Sequence, residues 1–297
     1  MVTSVFHAGE LAVQRRMGQA DSAGRVGRII SPEIPGAAAA FLAEQPMVVL
    51  AAADDAGRIW TSQIVGLPGF AHAEDARTVS VDAHPVPGDP LAEPLRGRRK
   101  VGLIALQPQR RRRMRVNGTA EPTAAGIRIA TDQVYSNCPK YISRRSITEF
   151  QPTVPGPARH SATLDTAQQQ ALSVTDTFFI GTVDAEGNAD ASHRGGNPGF
   201  LQVLSPSRLR WPDYRGNSMF MTLGNILTDP RCGLLIPDWR TGATLQLTGT
   251  AEILWTETGS APGAQCAIEF DITEVIAIPH AGPLRWSPPE LSPANPA

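Results

Sequence analysis

Apolar residues fall along this chain in short runs separated by turn-forming clusters. Two runs, MVVLAAADDAGRIWTSQIV (Met47 to Val65) and FFIGTVDAEGNADASH (Phe178 to His193), are bent midway by Asp-Ala-Gly and Ala-Glu-Gly, a hairpin signal. The stretches RTVSVDA and SRLRWPD alternate with a period of two, placing Val79 with Val81, and Leu209 with Trp211, on one strand face. VGLIAL…RMRVNGTAE and CGLLIPD…TLQLTGTAE each predict another hairpin. Helix signals are few: Pro35 to Ala43, Asp165 to Leu172, and Ser218 to Leu227. Many short strands with regular turns predict a mainly β fold of small barrels or sandwiches.

The same pattern occurs twice. DDAGRIWTSQIVGLPGF, from Asp54 to Phe70, matches DAEGNADASHRGGNPGF, from Asp184 to Phe200, at a constant offset of 130 residues. Further on, the block ending at Glu121 matches the block ending at Glu252, offset by 131, with Gly-Leu and Gly-Thr-Ala-Glu recurring. Two blocks in register mark an internal repeat. Pro and polar residues in EFQPTVPGPARHSATLD read as a linker, and SPPELSPANPA reads as an extended or unstructured tail.

Composition narrows the function. The 297 residues carry 41% hydrophobic and 19% charged side chains and a formal net charge of −1. This balance argues against a nucleic-acid binder. No segment reaches the ~20 apolar residues of a membrane span. Cys138, Cys232 and Cys266 show no Cys-x-x-Cys spacing, so neither a disulfide framework nor a metal site is expected. The N-terminus has no signal-peptide core, and the expectation is a cytoplasmic, soluble protein.

Candidate chemistry lies where the copies differ. Gln63 and Ile64 of the first copy become His193 and Arg194 in the second, beside Gly195 and Gly196. The stretch PGDPL (Pro87 to Leu91) lies opposite Arg215 to Met219, part of RWPDYRGNSMFMTLGN. Arginines and glycines before a helix start suit a phosphate group. The run RRRRMR (Arg110 to Arg115) on its own reads as a solvated turn, with Arg111, Arg113 and Arg115 on one side of a strand and Arg110 and Arg112 on the other. SNCPKYISRR reads as a helix start, with Ser136 or Asn137 as cap, Pro139 in the first turn and Lys140 beside it. In FHAGE, His7 and Glu10 either face a site or cap an N-terminal arm, and the arm is the preferred reading.

These residues resemble the flavin-binding split barrels of the pyridoxamine 5′-phosphate oxidase-like superfamily, in a tandem-barrel bacterial branch, from about Phe6 to Trp286. The resemblance implies two six-stranded antiparallel split barrels, with FMN at an interface. It divides the chain into an N-terminal arm with short helices (1–43), a first barrel (44–150), a linker (151–172), a second barrel with the main cofactor motif (173–286) and a Pro-rich tail (287–297). The implied cofactor contacts in the second copy are His193, Arg194, Gly195, Gly196, Trp211, Pro212, Tyr214, Arg215, Asn217, Ser218, Thr222 and Asn225. Arg113, Asn137 and Lys140 of the first copy would complete one site in an intrachain pseudo-dimer. The usual Arg-Lys pair of the phosphate turn is replaced by Arg215 and Asn217. The implied activity is FMN-dependent two-electron redox of a small substrate, with NAD(P)H as a further partner and a homodimer as the assembly; His193, the one histidine inside the motif, reads as a ring-packing or solvent-facing strand residue ahead of a proton donor. The alternative is a non-catalytic flavin, deazaflavin or haem binding protein.

Overall fold

The computed structural model describes residues 4–255 and 261–296; the first three residues of the arm, residues 256–260 of the second copy and the last residue of the tail lie outside them. The arm holds three helices, α1 (Ala8–Arg16), α2 (Ala20–Val26) and α3 (Gly36–Ala43). The first copy forms β1 (Met47–Ala53), β2 (Ile59–Val65), β3 (Ala71–Asp75), β4 (Thr78–Val81), β5 (Arg99–Gln107), β6 (Arg112–Pro122) and β7 (Ile127–Ser136). After β8 (Ile147–Phe150), β9 (Arg159–Ser161) and α4 (Thr166–Ser173) come β10 (Thr177–Val183), β11 (Ala189–Gly195), β12 (Gln202–Ser205) and β13 (Arg208–Tyr214). Helix α5 (Met221–Thr228) precedes β14 (Arg231–Pro237), β15 (Thr244–Leu254), β16 (Ala264–Ile278) and β17 (Leu284–Trp286).

The two copies have one topology. The first sheet runs β2-β1-β5-β6-β7-β4-β3, and the second runs β11-β10-β14-β15-β16-β13-β12, all antiparallel. The sheets are split barrels of seven strands rather than six, because β3 and β12 each pair with the following strand. The linker adds β9 to the free edge of β16, and β8 pairs with β17. The tail is held in place: Arg144 and Glu290 form a bridge, and Asn197 Nδ2 donates to the Pro296 carbonyl at 2.8 Å.

The continuous apolar runs are explained by strands buried on both faces. In β1, Val48, Leu50 and Ala52 fill the first barrel, while Val49 and Ala51 face the second copy. In β10, Phe178 and Ile180 fill the second barrel, while Phe179 joins Val49, Ile104 and Leu235 between the barrels. The contact is pseudo-twofold. A Cβ on Gly102 would lie 2.5 Å from the Asp190 Cα, and one on its counterpart Gly233 would lie 2.9 Å from the Trp60 Cα. Only glycine permits this backbone approach at both ends of the interface.

The arm seats α1 on α5. The His7 imidazole accepts the Gly9 N–H at 3.1 Å, and Glu10 Oε2 accepts the His7 N–H at 2.9 Å, a reciprocal cap. A Cβ on Gly9 would sit 2.2 Å from the Gly224 carbonyl oxygen. FHAGE thus caps and docks a helix.

Candidate functional site

A cleft lies between the barrels, where β6 and the segment after β7 meet β11, β13 and the start of α5. Of the residues the sequence singled out, it gathers Arg113, Asn137, His193, Arg194, Gly195, Pro212, Tyr214, Asn217, Ser218 and Thr222. The alternation of β6 brings the first copy's arginines in: Met114 and Val116 fill the first barrel, while Arg113 and Arg115 point across at the second. The solvated-turn reading of RRRRMR therefore fails for both, since Arg113 Nη1 bonds His193 Nδ1 at 3.0 Å and Arg115 is buried. Arg111 does not join them; it closes the β5–β6 turn at φ 49°.

The inner wall is a charged network that the sequence reading missed. Asp190 accepts from Arg115 Nη1 at 3.0 Å, Tyr135 Oη at 3.0 Å, Asn117 Nδ2 at 3.2 Å and Ser192 Oγ at 3.1 Å. Burial opposes the Arg115 charge, but Asp190 and Tyr135 outweigh it and hold its pKa above the usual value. Arg113 has no carboxylate partner among the described residues. Burial, then the charges of Arg115 and Arg194, push its pKa down to about 9. Arg194 lies 3.7 Å from Asp213, and burial lowers its pKa as well.

The surroundings of His193 favour its neutral form. Burial depresses its pKa well below the ordinary value, and the charges of Arg113, Arg194, Arg145 and Arg115 add to this. Because Nδ1 accepts from Arg113, the imidazole proton resides on Nε2. That N–H is buried without a partner, as are Arg113 Nε, Arg194 Nε and both amide atoms of Asn137. Buried polar groups are ordinarily paired, so the unused donors in this set, all but the Asn137 Oδ1 acceptor, point to a ligand that accepts hydrogen bonds. Helix α5 adds to it: Phe220, Met221, Thr222 and Leu223 line the cleft, and among the described residues no side chain caps the helix.

Five expected contacts are elsewhere. Trp211 is in the barrel core against Phe178 and Phe270, on the inward face of β13. The Gly196 N–H donates to the Asp176 carbonyl at 3.1 Å, so it is not available to a ligand. Arg215 is exposed, and only its carbonyl is engaged, by Tyr141 Oη at 3.0 Å. Asn225 points to the other side of α5, bonding Thr182 and His7. Lys140 is exposed because the helix expected at SNCPKYISRR does not form. Tyr141 instead takes φ 66°, and its carbonyl packs where a Gly195 Cβ would be, at 2.0 Å. Asn217 and Ser218 line the cleft but shape its turn: Asn217 Oδ1 accepts the Met219 N–H at 3.1 Å and Ser218 Oγ donates to Gln19 at 2.6 Å. Thr222 Oγ1 is 2.9 Å from Ser192 Oγ.

The cleft has a volume of about 90 Å³. The residues present fit the phosphate of a cofactor such as FMN: among the described residues they offer four unused donors, a helix start with no side-chain cap and one arginine without a counter-charge.

Residues 164–277 match the family model described as pyridoxamine 5′-phosphate oxidase. No curated protein matches the chain. Among solved structures, a candidate pyridoxamine 5′-phosphate oxidase from Lactobacillus delbrueckii is 20% identical, with a TM-score of 0.33 over 39% of this chain and 94% of that one. HupZ from Group A Streptococcus is 14% identical, with a TM-score of 0.31 over 37% of this chain and 90% of that one. An FMN-binding protein from Syntrophomonas wolfei is 11% identical, with a TM-score of 0.27 over 36% of this chain and 79% of that one.

Proposed function

We propose that the chain is an FMN-dependent oxidoreductase acting on a small substrate, with its cofactor anchored in the cleft between the barrels, a reading supported by the match of residues 164–277 to the family model described as pyridoxamine 5′-phosphate oxidase. The observation that carries this reading is Arg113: a cation without a carboxylate partner among the described residues, facing the acceptor nitrogen of His193 and a second arginine among unused donors. Burying such a cation is costly unless an anion joins it.

In this reading Arg113 and Arg194 hold the phosphate, with the first-turn N–H groups of α5. His193 donates from Nε2, which favours a binding role over proton transfer to substrate. Asp190 holds Arg115 in place and keeps the wall rigid. Bound FMN would supply two-electron redox chemistry, while the chain supplies position and charge.

The purified protein, saturated with FMN, is expected to show a flavin absorption spectrum that bleaches with NADH or NADPH. A flavin spectrum inert to reductants would leave a binding role, and a Soret band would indicate haem. A protein that binds no added FMN would sink the proposal. Arg194→Ala should abolish FMN retention, whereas Arg58→Ala, on the surface of the first barrel, should keep it; equal retention would remove the cleft assignment.

A further inference from the structure

On the first barrel's side of Arg113 lies a second concavity, of about 620 Å³, within the size range of small-molecule sites. Its floor is apolar: Ile29, Pro35, Ala38 and Phe41 from the arm, with Met114 and Val134 from β6 and β7. Ile29 remains 49% exposed there, a large aliphatic side chain left facing solvent. The rim is basic. Arg110 and Arg112 are exposed and form no ion pair among the described residues, and the Arg112 guanidinium lies 4.9 Å from the centre of the Phe41 ring. Arg111 is occupied elsewhere, donating to the Ile142 carbonyl at 2.9 Å and pairing with Glu290. Among the described residues, no Asp or Glu lines the groove.

An apolar floor under unpaired guanidinium groups selects a molecule with an apolar body and an anionic head. A cation would meet repulsion from three arginines, and a fully hydrated anion would gain nothing from the floor. Arg113 and Asn137 line both this groove and the inter-barrel cleft, so a ligand here abuts the wall of the cofactor site.

We propose that this groove binds an amphipathic organic anion, a carboxylate or phosphate on an apolar body, and that this is the substrate class of the protein. The substrate assignment rests on the cofactor reading above; the binding site does not. Arg112 pairs with the head group and Phe41 supports the apolar body.

The test uses the full chain and 8-anilinonaphthalene-1-sulfonate, a fluorescent apolar anion. It should bind the native protein saturably, with enhanced fluorescence, and be displaced by decanoate or decyl phosphate but not by decyltrimethylammonium. The stronger displacer of the two anions identifies the head group. Arg112→Glu should weaken binding by about tenfold or more. Ala37→Trp, an exposed position on the groove wall, should block it by filling space, with an unchanged circular dichroism spectrum and melting temperature. FMN titration of the same proteins is read separately. Probe binding with no FMN binding would uphold the groove and sink the cofactor reading. No probe binding, equal binding by both variants, or displacement by the cation would overturn the groove while leaving FMN binding to stand or fall alone.

Discussion

The two barrels place different residues at matching positions facing the same interior. In the first, Trp60 and Ile64 of β2 point into the barrel and are fully packed, joined by Leu91 from the Pro-rich loop. In the second, the matching positions of β11 are Asp190 and Arg194, and α5 takes the place of that loop. Across the interface, Arg113 and Arg115 correspond to Thr244 and Gln246. The first barrel settles its remaining polarity around a carboxylate, Asp89, held by neutral donors. Gln246 Nε2 donates to Ser62 Oγ at 2.9 Å and to Asp89 Oδ2 at 3.1 Å, and burial raises the Asp89 pKa to about 6. The second barrel keeps formal charges inside and leaves donors unused. One fold tolerates both arrangements, so the charged one is not a requirement of folding, and its cost points to ligand binding.

That contrast can be attacked directly. The largest effect should come from Asp190→Ala, which leaves Arg115 buried without its carboxylate and should cost about 3–5 kcal/mol in urea unfolding. The mirror change, Gln246→Ala, should cost about 1–3 kcal/mol, as for a buried hydrogen-bond network losing one neutral member. Equal costs would erase the distinction between the halves.

Asp89 gives a pH signature to the first half alone. Its folded pKa lies above its unfolded value, so the folded state holds the proton longer. Stability should therefore fall as pH rises from about 4 to about 6, by on the order of 3 kcal/mol, and then level off. Asp89→Asn should remove that slope in chemical denaturation. A slope that survives the substitution would assign it to another group.

For ligand binding, Arg113→Ala should weaken FMN affinity by about a hundredfold in a fluorescence titration. Thr244→Ala, at the mirrored position, should leave it unchanged. A comparable loss in both would mean that the cofactor does not distinguish the two halves.

Much of this asymmetry was legible in the sequence because the repeat supplied its own control. Comparing copies at a fixed offset singled out His193 and Arg194 against Gln63 and Ile64, and these residues meet in the cleft. The same comparison had the power to find Asp190, since a carboxylate stands where the other copy has a tryptophan; the signal was hidden in a hairpin that reads as polar and solvated. Arg115 was hidden similarly within a basic run, where period-two alternation gives a direction but not what lies opposite. Lys140 and Arg215 were misjudged for another reason. Their placement depended on how irregular chain crosses the interface: the bridge from Arg144 to Glu290 and the left-handed Tyr141 fix a segment whose local composition favours a helix. Long-range pinning of this kind leaves no periodic trace in the sequence.

The glycine contact at Gly102 and Gly233 has a consequence for concentration. A cleft assembled between two separate chains comes apart on dilution, and its ligand affinity then depends on how much protein is present. Here both walls belong to one polypeptide, so each half meets the other at a fixed effective concentration. The cleft should keep the same affinity at the lowest protein levels. Covalent linkage also lets the two halves differ, with tryptophan and isoleucine filling one side where the other carries Asp190 and Arg194.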